Sequence, residues 1–238
     1  MWSGSDYEKY AISALGYFYP ELINMIKGES PDYFNSTIGI EIRRAITRKD
    51  GEIDAFWRKN QNCRFQDLPP KQLKKLGFSN SPVPIDSKEI FFSQRSLKNG
   101  CLFYYKHKCT GILILCAYIG KSITNQFTID SIDQAVSEKL DKLNDHYHIL
   151  NRNDLCIIVQ EQLNYYVCQD EIIDDLICST ISSIQKAYEK QKRAHFFDNI
   201  YLLFLDNVFC VNSKTWKYKR NTITQEQIDI FCGAIENT

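Results

Sequence analysis

Two long amphipathic helices alternating with short, wholly apolar runs set the tightest limit on how this chain can fold. Thr128 to Tyr147 repeats Ile129, Ile132, Ala135, Val136, Leu140 and Leu143 at helical spacing, with Lys139 and Lys142 flanking the stripe. Asp170 to Lys192 does the same with Ile173, Leu176, Ile177, Ile181, Ile184 and Tyr188. Between and after them, Leu155 to Val159 and Ile200 to Leu205 carry no polar face, and Val208 to Val211 is placed to pair beside the second across Asp206-Asn207. A strand without a polar face is buried on both sides, as parallel strands between helical layers are. The expected class is therefore α/β, a mixed central β-sheet flanked by helices.

The remaining elements are less regular. Asp6 to Lys27 reads as a helix interrupted at Pro20 and stopped by Gly28, with Leu22, Ile23 and Ile26 extending its apolar face. Ser30 to Asn35 and Ile38 to Ile46 read as short extended pieces, and Gly51 to Asn60 as a short helix with Ile53, Phe56 and Trp57 inward. Arg64 to Pro84 is rich in turn residues. Glu89 to Arg95 and Cys101 to Tyr105 form a hairpin pattern around Asn99-Gly100. Gly111 to Ile119 fits a buried strand, with a helix as the alternative that periodicity does not separate. Thr224 to Ala234 closes as a helix. The expected organisation is a single α/β domain over 6–236, with an insertion or elaborated edge at 65–122.

Charge and cysteine usage exclude several function classes. Lys+Arg and Asp+Glu both number 29, so the formal net charge is +0, which argues against a surface that grips nucleic acid everywhere and leaves room for a local basic groove. Nine cysteines without a CxxC pair read as reduced thiols in a cytoplasmic protein, not as disulfides or zinc ligands. Met1 to Tyr10 has no basic region followed by an apolar run, so no secretory signal is expected. The longest apolar run, Gly111 to Ile119, is too short to span a membrane. No P-loop and no GxGxxG is present, and the four histidines form no recognisable triad or zinc spacing.

Chemistry concentrates in Ser30-Pro31-Asp32 and Gly39-Ile40-Glu41-Ile42-Arg43. With a period of two, Glu41 and Arg43 share the face opposite Ile40 and Ile42. If the two extended pieces pair, Asp32 and Glu41 converge on one hard cation, and Mg²⁺ needs only one or two protein carboxylates beside a phosphate oxygen. Arg43 would steady charge on that phosphate. The plainer alternatives are that Asp32 simply follows Pro31 in a turn and that Glu41 and Arg43 line a solvated edge strand. Arg43, Arg44, Arg48 and Lys49 are cations that would meet phosphates, or, with Asp50, Glu52 and Asp54 following, an ordinary solvated surface.

This order of residues resembles the PD-(D/E)xK, or restriction-endonuclease-like, nuclease superfamily. Glu8 lies on the first helix, Pro31-Asp32 corresponds to the first signature and Glu41-x-Arg43 to the second. The later run of Glu138-Lys139-x-x-Lys142-Leu143, Tyr147, the strand Leu155 to Val159 and Phe197-Asp198-Asn199-Ile200-Tyr201-Leu202-Leu203 is also similar to compact bacterial members. The resemblance implies a hydrolase, an endonuclease that cleaves DNA phosphodiester bonds with Mg²⁺ or Mn²⁺ and serves antiviral defence. Asp32 and Glu41 would hold the metal, Glu8 would be an auxiliary ligand, and Arg43 stands where the family carries lysine. Arginine does not act as a base near neutral pH. In this superfamily the lysine can migrate to the next helix, which points to Lys139 or Lys142. The alternative is a non-catalytic module on the same fold that binds nucleic acid, a protein partner or a second copy of itself.

Overall fold

The computed structural model describes residues 4–46, 125–145, 148–159, 170–190, 194–204 and 206–236. Within 47–124 it describes 52, 55–56, 59–60, 63, 67–71, 83–84, 90–92, 101–106 and 113–119. The chain divides into two compact units, Met1–Ile46 with Asn125–Thr238, and Thr47–Thr124.

In chain order the first unit begins with helix α1 (Gly4–Phe18), a 3-10 turn (Pro20–Leu22) and strands β1 (Ile26–Lys27), β2 (Tyr33–Phe34) and β3 (Ile38–Arg44). The second unit contributes β4 (Val83–Pro84), β5 (Ile90–Phe92), β6 (Cys101–Lys106) and β7 (Leu113–Ile119). The first unit resumes with α2 (Asn125–Asp145), β8 (Arg152–Ile158), α3 (Asp170–Lys190), β9 (Asn199–Leu203), β10 (Asn207–Asn212), β11 (Tyr218–Thr222) and α4 (Gln225–Glu236). The run expected at Gly111 to Ile119 is a strand, paired antiparallel with β6 in a four-stranded sheet of order β4-β5-β6-β7. The Asn99-Gly100 turn and the Arg48, Lys49 pair lie outside the described residues.

The seven strands of the first unit run in the order β1-β2-β3-β8-β9-β10-β11. β3, β8 and β9 are parallel, and an antiparallel hairpin flanks each side. The fold is thus α/β with a mixed, open sheet, as the alternation of helices and apolar strands requires. One sheet face packs on α1 and α4, through Tyr10, Ala11, Ala14, Leu15 and Phe231 against Ile40, Ile42, Cys156, Ile158, Tyr201 and Leu203. By strand alternation Leu155, Ile157, Ile200 and Leu202 point the other way. Helix α2 packs there against β3, β8 and α3. Its Ile132, Ala135, Val136, Leu140 and Leu143 are buried, as are Leu176, Ile177, Ile181, Ile184 and Tyr188 of α3. Each buried Leu, Ile or Val among them stabilises the fold by about 1.5–3 kcal/mol, so the two stripes anchor α2 firmly beside β3.

Helix α1 is shorter than its apolar pattern suggests. It ends at Phe18 because Tyr19 precedes a proline and adopts extended backbone, φ −129° and ψ 90°. Asn24 then takes a left-handed φ of 58°, which turns the chain toward β1 and leaves Ile23 and Ile26 exposed. A polar network fixes the starts of β8 and β9. Asp154, fully buried, accepts from Arg152 Nε at 2.8 Å and from the Asn199 backbone N–H and side-chain amide at 3.1 Å each. Arg152 also donates to Tyr201 Oη at 2.7 Å. Among the described residues no disulfide joins cysteines, and no helix is long and apolar enough to cross a membrane.

Candidate functional site

The register of β2 and β3 brings the two sequence-predicted carboxylates side by side. Tyr33 pairs with Ile40 and Phe34 with Gly39, so one step outward Asp32 stands opposite Glu41. Residues opposed across antiparallel strands share a face. Asp32 is held there by its own side chain, whose Oδ2 accepts the Ile42 backbone N–H at 2.7 Å, and by its carbonyl, which accepts from the Gly28 N–H at 2.8 Å. Gly39 makes the approach possible, since a Cβ at that position would sit 2.7 Å from Pro31 Cγ. A larger residue would push the Pro31-Asp32 segment off β3.

Glu41 is not on a solvated edge. It is 2% exposed, on a strand flanked by β2 and β8, beneath α2. Lys139 of α2, itself buried, donates to Glu41 Oε1. Oε2 is buried and meets no hydrogen-bond donor among the described residues. Burial first, and then the Asp32 charge, push the Glu41 carboxyl well above its ordinary value, against a smaller downward pull from Lys142. Burial pulls the Lys139 ammonium below its ordinary value, and the charges of Asp32 and Glu8 partly offset this.

The other two expected site residues are engaged elsewhere. Arg43 reaches α2 as strand alternation requires, but its Nη2 pairs with Glu138 Oε2 at 3.0 Å instead of facing Asp32 or Glu41. Both side chains are substantially exposed, so this pair contributes about 0–1 kcal/mol. Glu8 pairs with Lys27 at 3.2 Å, and its charge is felt at Lys139 and Tyr33 without its carboxylate joining the other two. Arg44, adjacent to Arg43 in the basic run, stacks over the Tyr7 ring at 4.1 Å. Among the described residues no group of three or more His, Cys, Asp or Glu is placed to hold a metal ion. The donor set is therefore Asp32 and Glu41, with Lys139 at their side. Sequence reasoning gave no sign of Lys27 as the partner of Glu8, because the pairing joins α1 to β1 through tertiary structure alone. No family model, curated protein or solved structure matches the chain.

Proposed function

We propose that the Asp32–Glu41–Lys139 centre is a metal-dependent phosphodiesterase site and that the protein is a DNA endonuclease. The observation that carries this reading is Glu41 Oε2, a buried carboxylate oxygen without a donor, on a residue opposed by Asp32. A buried carboxylate oxygen left without a donor, beside a second carboxylate, is costly unless a cation completes it. Two carboxylates satisfy the needs of Mg²⁺ or Mn²⁺, which keep waters and accept phosphate oxygens in their remaining positions. When bound, such an ion activates water and stabilises charge growing on the scissile phosphate. Lys139, with its ammonium pulled toward neutrality, is suited to hold or give up a proton next to the attacked phosphorus. Arg43, exposed and loosely paired to Glu138, is free to exchange that carboxylate for a phosphate.

The order helix, Pro-Asp hairpin, Glu-bearing strand, helix and parallel strand supports the restriction-endonuclease-like resemblance, with the lysine moved onto α2. A defence role rests on that resemblance alone. A second reading is favoured by one observation: Lys139 already neutralises Glu41, so the pair can be purely structural and the protein a non-catalytic binding module. Thermal unfolding with Mg²⁺ or Mn²⁺, beside cleavage of plasmid and single-stranded DNA, separates the two. The nuclease reading expects metal to raise Tm by mass action, about 2.7 kcal/mol at a hundredfold excess over Kd. Because the metal competes with a proton that Glu41 holds unusually tightly, the gain should be larger at pH 8 than at pH 6. Folded Asp32→Ala and Glu41→Ala variants should lose both the shift and cleavage. No shift and no cleavage in the wild type would leave the binding module standing.

A further inference from the structure

A second candidate site lies at the N-terminal end of β9, where the β10–β11 turn meets the C-terminal end of α3. Tyr188, Phe196 and Trp216 wall a pocket of about 380 Å³, with Glu189, Asp198 and Lys214 on its rim. The rings touch, Tyr188 to Phe196 at 4.9 Å and Tyr188 to Trp216 at 5.2 Å and 82°, so the pocket has firm aromatic walls. The volume lies in the range of small-ligand pockets and is ample for one flat heterocycle.

The turn is built to present Trp216. Asn212 Oδ1 accepts from the Lys214 N–H, the Thr215 N–H and the Thr215 hydroxyl, each at 3.1 Å, and the Trp216 N–H donates to Asn212 O at 2.8 Å. Trp216 itself sits at φ 55°, a left-handed position that usually takes Gly or Asn. Its ring packs edge-on against Tyr188, which holds it beside the pocket.

The charge of the β10–β11 segment is one-sided, although Glu189 and Asp198 also line the pocket. From Asn207 to Gln225 the chain has no carboxylate and carries Lys214, Lys217, Lys219 and Arg220, in a protein whose net charge is +0. Arg220 is occupied by Asn207 at 2.8 Å and lies 4.0 Å from Asp174, but Lys214, Lys217 and Lys219 are exposed. Lysines on an edge strand also guard against sheet-to-sheet pairing. That role does not call for an aromatic pocket beside them. The rim carboxylate of Asp198 is already bound, by Lys214 at 3.5 Å and by the Asn153 N–H at 3.0 Å, so it does not confront a phosphate as a bare charge.

We infer that this pocket takes one unpaired nucleobase of a single-stranded nucleic acid, stacked on Trp216, with Lys214 and Lys217 on the flanking phosphates. Stacking on an aromatic ring within a basic surface is the common chemistry of single-strand binding. The choice of ligand rests on the nucleic-acid reading above, but none of the residues belongs to the Glu41 centre.

The test pairs tryptophan quenching of the full chain in EDTA with the anisotropy of dye-labelled mixed-sequence 12-mer DNA and RNA, which reads affinity when Trp216 is absent, and uses heparin as a polyanion without bases. Tryptophan occurs only at positions 2, 57 and 216, so the quenching lost in Trp216→Phe is the share that Trp216 reports. Expected are quenching by either oligonucleotide, an affinity about tenfold lower in Trp216→Leu, and near-normal affinity in Trp216→Phe. Lys214→Ala with Lys217→Ala, which leaves the rings in place, should flatten the slope of log affinity against log salt by about 0.7 per lysine. Unchanged binding in Trp216→Leu, or equal quenching by heparin, overturns the inference. Oligonucleotide binding in EDTA, with no cleavage once Mg²⁺ or Mn²⁺ replaces the EDTA, would sink the nuclease reading and leave this one intact.

Discussion

At the scale of single residues, the Glu41–Lys139 pair is where stability and function meet. Two charges have been taken from water into the layer between β3 and α2, and removing one partner strands the other. Lys139→Met should therefore destabilise the protein in a pH-dependent way. The folded pKa of Glu41 is already raised by burial and by Asp32, and loss of the ammonium raises it further. Below the unfolded value near 4.5 the carboxyl is protonated in both states and needs no cation. As pH rises, the unfolded chain ionises first and stability falls until the folded carboxyl also ionises. Urea unfolding should show a loss of about 3 kcal/mol at pH 8 and little at pH 5. An equal loss at both pH values would mean that Lys139 acts through packing alone. The sequence made the shared face of Glu41 and Arg43 legible, because strand period alone dictates it. It did not show that Glu41 is buried while Arg43 stays exposed. That difference arises from where α2 lies across β3, and only the tertiary packing of α2 sets it.

At the scale of elements, the hairpin depends on a glycine that carries no chemistry. Gly39→Ala would set a methyl 2.7 Å from Pro31 Cγ, a clash with a rigid ring, and 3.1 Å from Leu150 Cδ1, a side-chain tip that can swing aside. The expected cost is about 1–3 kcal/mol, or roughly 2–4 °C in Tm for each kcal/mol in a chain of this size. Any metal-induced shift should shrink as well, because Asp32 moves with Pro31. The control is Gly233→Ala in α4, where a Cβ meets nothing within 4 Å and a gain of about 0.5–1 kcal/mol is expected from helix propensity. If both substitutions behave alike, Gly39 is not what lets Asp32 reach β3. Elements with strong periodicity, α2, α3 and the strands between them, were readable from the sequence to within a few residues. Two others were not. The apolar spacing of Ile23 and Ile26 continued a helical stripe that the backbone had left at Tyr19. β11 carries Tyr218-Lys219-Arg220-Asn221-Thr222, an exposed edge whose pairing with β10 comes from main-chain hydrogen bonds that no side-chain pattern reports.

At the scale of the whole molecule, the polypeptide leaves the first unit after Ile46 and returns at Asn125. Every strand of the seven-stranded sheet, and helices α1 to α4, belong to the first unit. So do Asp32, Glu41, Lys139 and the Trp216 pocket. Replacing Thr47–Thr124 by a Gly/Ser linker of about 12 residues, with an r.m.s. reach of about 20 Å, should therefore leave a protein that folds. The expectation is a single cooperative urea transition with a smaller m-value, because less surface is exposed on unfolding. A broad transition with strong binding of a hydrophobic dye would show that the inserted unit is needed for tertiary packing. The metal response sharpens the comparison. If two carboxylates suffice, the shortened protein should show the same metal-induced Tm gain as the full chain. A folded, shortened protein that no longer responds to Mg²⁺ or Mn²⁺, when the full chain does, would show that the two carboxylates of the first unit do not suffice.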